Sequence, residues 1–174
     1  QRIVPAIAIA VVMSAIPKAE IFFPSAGQSE KRYFKQSLEK GEIIYTGWSP
    51  AARIDVAVGA KTHRVIWIDG GTNQSQMNKR SGKIRKHSSP TTVYRSVEIP
   101  FLLKKNPEVM IIGPGGGPEV ASALEYDAKF VTAVELDPVI TNLVQGKFST
   151  YLGFLYSNPR VQLVNEEGRS FIRR

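Results

Sequence analysis

An α/β fold with a parallel sheet, preceded by a small antiparallel β region, is the class this sequence predicts. Three observations predict it. An apolar run at 109–112 breaks into a cluster of glycines, Gly113, Gly115, Gly116 and Gly117, and Pro118 then suits the first turn of a helix. A second apolar run ends at Glu135, and a third, at 161–164, leads to the start of a helix near Arg169. Upstream lie three β-like stretches, 42–45, 53–58 and 65–68, the last closing on Asp69-Gly70-Gly71, a strong turn signal.

From the N-terminus, residues 3–16 read IVPAIAIAVVMSAI without a charge. These 14 residues fall short of the roughly 20 that span a bilayer, and Pro5 interrupts them. As a whole segment the run reads as a buried strand or helix; as the end of a cut one, it reads as the last turns of a transmembrane helix. The first residue is Gln1, so a cut segment is expected. The chain divides on this reading into 1–17, the apolar segment; 18–90, a β region with a basic loop; and 91–174, the nucleotide-shaped domain. In the β region Trp48 and Asp55 are candidate lining residues, set against the plainer roles of sheet packing and a solvated face.

The formal charge is +8, and the segment 78–90, NKRSGKIRKHSSP, concentrates Lys79, Arg80, Lys83, Arg85, Lys86 and His87. Such a run attracts phosphate. No aromatic residue interleaves it, so it lacks a stacking platform, and it reads as a solvated loop rather than a nucleic-acid site. The absence of cysteine excludes disulfides, thiolate metal sites and thiol chemistry. His63 and His87 stand apart from carboxylates at ligand spacing, so no metal is expected.

The glycine cluster carries the chemistry. Glycine lets the chain turn through conformations costly for other residues and lets a ligand approach the main chain. Glu135 lies 20 positions after Gly115, where an acid at the tip of a second strand accepts hydrogen bonds from ribose hydroxyls. The pattern is G-x-G-x-G, and Pro118 stands where the dinucleotide fingerprint has its third glycine. A pyrophosphate prefers free N–H donors at the helix start, and Pro118 removes one. The ligand expected is therefore a nucleoside without phosphates, with NAD the weaker alternative.

The segments VMIIGPGGG, VTAVELDPVITNLV and NPRVQLVNEEGRSFIRR, with WSPAARIDV and VIWIDGGT upstream, resemble the spermidine synthase-like family. That family has a Rossmann-like fold shared with S-adenosylmethionine-dependent methyltransferases, and the resemblance covers roughly residues 48–174. It implies S-adenosylmethionine or its decarboxylated form as co-substrate. Gly113, Gly115 and Gly117 would frame the methionine-derived part, Glu135 would hold the ribose, Leu136 would face the adenine ring, and Glu167 would meet the adenine amino group. It further implies aminopropyl transfer to a small-molecule amine, a homo-oligomer supported by the small sheet, and a membrane-linked chain whose cofactor domain faces the cytoplasm, a cytoplasmic protein being the alternative.

Several departures bear on the acceptor. The family's loop usually carries an aspartate where this chain has Gly116, its His-Glu pair after a tyrosine is replaced by Arg95-Ser96 after Tyr94, and a glutamine aligns with Ala52. A diamine needs acceptors to replace its hydration, so the acceptor is left open. The acid that takes the proton from the attacking amine would follow a fourth strand beyond Arg174, so no catalytic residue is named. A sheet of three strands leaves an edge to be covered, and the chain reads as a fragment with a C-terminally truncated sheet. The alternatives to aminopropyl transfer are a methyltransferase and a non-catalytic, membrane-linked nucleoside-binding module.

Overall fold

The computed structural model describes residues 29–59, 63–84, 101 and 103–174. The first element among the described residues is a helix, α1 (Ser29–Glu39), with a polar sequence and an anchor in Phe34, which is fully buried. Phe34 meets Trp67 edge to face, with ring centroids 6.0 Å apart. Burying one such side chain contributes about 1.5–3 kcal/mol.

Four strands follow as an antiparallel meander: β1 (Ile43–Trp48), β2 (Arg53–Val58), β3 (His63–Ile68) and β4 (Asn73–Asn78), paired in that order. Three of them answer to the stretches read from sequence. The fourth was not anticipated, because NQSQMN shows no alternation and only its Met77 is buried; β3 supplies its pairing partners along the whole length. Side chains alternate across this sheet. Ile54, Val56, Ile66 and Met77 point into the main core, whereas Ala57 and Trp67 pack against α1.

Asp55 also lies on the α1 face and is fully buried. Its Oδ2 lies 2.9 Å from Arg53 Nε, and its Oδ1 accepts from Arg53 at 3.0 Å and from Thr46 Oγ1 at 2.6 Å. Neither a solvated face nor a lining role describes it: it is half of a structural ion pair. Trp48, 57% exposed, has the Arg53 guanidinium over its ring.

The parallel sheet has the order β5-β6-β7, built from β5 (Glu108–Ile112), β6 (Phe130–Glu135) and β7 (Val161–Asn165). Helix α2 (Pro118–Glu125) returns the chain from β5 to β6, and α3 (Pro138–Asn142) runs on into a π turn at Leu143–Lys147. A 3-10 turn at Leu155–Ser157 precedes β7, and α4 (Gly168–Ile172) follows it. The two sheets share one core, in which Ile54, Ile66 and Met77 join Val120, Leu124, Val131 and Leu152. Arg64 seals the seam with its guanidinium 4.9 Å from the Phe148 ring centroid and 4.0 Å from that of Tyr151.

Among the described residues no helix is long and apolar enough to cross a membrane. The apolar run at 3–16 lies outside the described residues, as do Tyr94, Arg95, Ser96 and the basic residues Arg85, Lys86 and His87. Of the other basic groups, Arg80 is tied to Glu125 at 2.9 Å rather than offered to a phosphate. His63 pairs with Asn78 on the surface.

Candidate functional site

The residues singled out from sequence converge at the C-terminal ends of β5, β6 and β7, the edge where open α/β sheets bind ligands. β5 delivers the glycine loop. Gly113, Gly115 and Gly117 all have positive φ, 67°, 49° and 87°, so the turn needs glycine at those three places. Pro118 then starts α2, with Gly117 as its N-cap.

Every N–H from Gly113 to Pro118 is spent inside the protein. Gly113 N donates to Val134 O at 2.8 Å, and Gly117 N to Pro114 O at 2.8 Å. Gly115 N donates to Glu135 Oε2 at 3.0 Å, and Gly116 N to Ser75 Oγ at 2.9 Å. Pro114 and Pro118 have none to give. The loop from Gly113 to Pro118 therefore offers a phosphate none of the N–H donors that a cradle aims outward.

The loop is also clamped from both sides. Tyr156 Oη donates to Gly115 O at 2.8 Å from below. From above, β4 closes on Gly115 and Gly116: a Cβ at Gly116 would lie 2.7 Å from both Gln76 C and Met77 Cγ, and nearer still to Gln76 O. Gly116, where the resemblance raised the expectation of an aspartate, thus has no room for a side chain. Gly115 and Gly117 are buried, against Ser75 and against Leu155 with Tyr156, while Gly113 is exposed with nothing within 4 Å of its would-be Cβ.

Glu135 ends β6 and is 6% exposed. Its Oε2 takes Gly115 N and its Oε1 takes Asp137 N at 3.0 Å. A carboxylate has room for about four donors, so two places remain for hydroxyls. Leu136, next in the chain, is 55% exposed and offers an apolar surface at the same edge. Asn165 at the end of β7 braces this tip, donating from Nδ2 to Glu135 O at 2.8 Å and to Leu136 O at 3.0 Å.

Glu167 caps α4: Oε1 accepts from Arg169 N at 2.9 Å, and Oε2 from Ser170 N at 2.7 Å and Ser170 Oγ at 2.8 Å. The backbone bond from Arg169, then those from Ser170, hold its carboxyl below the ordinary glutamate range. Burial pushes the Tyr156 hydroxyl well above its ordinary value, and the nearby Glu135 and Glu119 charges add to this. Tyr156 therefore stays a donor to the loop.

Sequence reasoning missed Ser49, Ser75, Asn165 and Tyr156, whose partners are distant in the chain. Asp137 had a local signal, an N-cap residue just before Pro138, and its Oδ1 does accept from Val139 N at 2.8 Å. A cavity of about 250 Å³, lined by Arg80, Lys83, Leu124, Leu152 and Phe154 among others, shares no residue with this edge.

No protein-family model matches the chain. A polyamine aminopropyltransferase of Sulfurisphaera tokodaii is 31% identical over 96 residues, which are 53% of this chain and 32% of that protein. Among solved structures, spermidine synthase from Thermotoga maritima superposes with a TM-score of 0.55 at 21% identity, over 76% of this chain and 43% of its own. A spermidine synthase in complex with the transition state analogue AdoDATO gives 0.52 at 22%, with the same coverage. The chain thus spans about a third of the curated relative and less than half of the solved ones. The shared segment and the shared fold agree with the motifs around Gly113 and Glu135: the chain is similar to a polyamine aminopropyltransferase over that segment and has the fold of the solved spermidine synthases.

Proposed function

We propose that the chain binds an S-adenosylmethionine-type nucleoside and serves transfer of its aminopropyl group to an amine. One observation carries the nucleoside part. A buried acid at the tip of β6 is locked to a glycine loop whose own N–H groups are all satisfied, so the site is equipped for sugar hydroxyls and not for phosphate. On this reading Glu135 accepts from the ribose, Leu136 lies against the adenine, and Glu167 meets its amino group from the start of α4. Gly113 is the open part of the loop facing the methionine-derived chain, while Gly115 and Gly117 frame it from behind.

The protein's task in such a transfer is alignment, because the positive sulfur is already a good leaving group. The aminopropyl reading is supported by the relatives' own names, a polyamine aminopropyltransferase and spermidine synthases. Methyl transfer is the second reading, favoured by Gly116: with no carboxylate on the loop, nothing there repels the carboxylate of intact S-adenosylmethionine.

Calorimetric titration with S-adenosylmethionine, its decarboxylated form and NAD tests the proposal. Binding of either sulfonium without NAD is expected, and tighter binding of the decarboxylated form supports aminopropyl transfer. Glu135→Ala, shown to be folded, should lose about 1–3 kcal/mol of that binding. NAD binding alone, or an unchanged affinity in the variant, would sink it.

A further inference from the structure

We propose that Ser49 is a positioning residue for the nucleoside site, an inference that rests on Glu135 being the ribose-holding acid. Ser49 sits in the turn between β1 and β2, on the other sheet. Its Oγ donates to Asp137 Oδ2 at 2.6 Å and accepts from Ala51 N at 3.1 Å and Ala52 N at 3.0 Å. The hydroxyl is thereby fixed by its own turn while it grips a residue 88 positions away.

Asp137 is 5% exposed, and among the described residues no cation pairs with it. Its carboxylate is held from two ends, by Ser49 and by Val139 N. Its own N–H is one of the two donors that orient Glu135. The order of dependence runs from the small sheet's turn, through Asp137, to the carboxylate that faces the sugar. Removing the Ser49 hydroxyl leaves a buried carboxylate oxygen without its closest donor, and Asp137 regains freedom to turn toward water. The Glu135 carboxylate then loses its fixed orientation, although nothing that touches the ligand has been changed.

The test compares 5′-methylthioadenosine with its 2′-deoxy analogue on the full chain, since a role through Glu135 must depend on the ribose hydroxyls. Ser49→Ala should weaken 5′-methylthioadenosine about tenfold and the 2′-deoxy analogue about threefold or less. Ser49→Thr, which keeps a hydroxyl, should stay within about twofold of the parent for both. Equal losses for the two ligands, or no loss for either, would show Ser49 to be structural only and overturn the inference while leaving the nucleoside reading intact. A parent chain that binds neither ligand overturns both.

Discussion

Replacing Gly116 by alanine tests how tightly the small sheet is locked to the glycine loop. Gly116 does not have a positive φ, so the change introduces no backbone strain and its effect is steric. The new methyl group would stand 2.7 Å from Gln76 C and Met77 Cγ, whereas ordinary contact begins at 3.4 Å. Relief of those two contacts alone requires a shift of at least about 0.7 Å between loop and β4, and the nearer Gln76 O demands more, which stretches the 2.9 Å bond from Gly116 N to Ser75 Oγ to at least about 3.6 Å, too long for a hydrogen bond. Overpacking of this kind costs about 1–3 kcal/mol and the lost bond about 0.5–1.5 kcal/mol. Together they come to roughly 2–4 kcal/mol, a fall in melting temperature of roughly 6–12 °C for a domain of this size. The assay is thermal unfolding followed by circular dichroism, with Gly113→Ala as the comparison. That residue has open space around it, and only its φ of 67° resists alanine, at about 1–2 kcal/mol. A Gly116→Ala protein melting within about 2 °C of the parent, or above Gly113→Ala, would refute the clamp.

Two further outcomes are expected. Tyr156→Phe removes the buried bond to Gly115 O and should lower the melting temperature by about 2–4 °C, and it should remove from the parent's tyrosinate absorbance a phenol that ionises well above the ordinary tyrosine range. The Glu167 carboxyl is held below its ordinary range by the α4 cap, so its contribution is present at neutral pH and is lost as pH falls through the depressed value. Acid unfolding curves of the parent and of Glu167→Gln should therefore differ at neutral pH and converge in acid; parallel curves would remove the cap from the account.

The parallel half was legible because its signals are local. Each of β5, β6 and β7 is a short apolar run, and Gly113 to Pro118 announces a turn and a helix start within six residues. Predicted ends fell within a residue of those observed for all three strands, and Glu135 does close β6. The elements that escaped have no such pattern. α1 rests on Phe34 amid charged neighbours, and β4 is stabilised by the pairing β3 provides rather than by its own composition. Of the site, the acid and the loop could be read, but not that they are bonded to each other, nor that Ser75 and Tyr156 hold the loop from either side. Those contacts join residues 20 to 41 positions apart and follow from the pairing of the parallel strands and, for Ser75, from the docking of the second sheet, which no window on the sequence contains.

The two serine contacts have a kinetic consequence. Ser75 reaches Gly116 across 41 residues and Ser49 reaches Asp137 across 88, so both close long loops of chain before either bond forms. The meander of β1 to β4 joins neighbours in sequence and should assemble early, while docking of the parallel sheet waits on distant encounters. The edge at the C-terminal ends of β5, β6 and β7 would then be the last part of the described fold to become ordered, and a ligand bound there during refolding would act on the final step rather than the first.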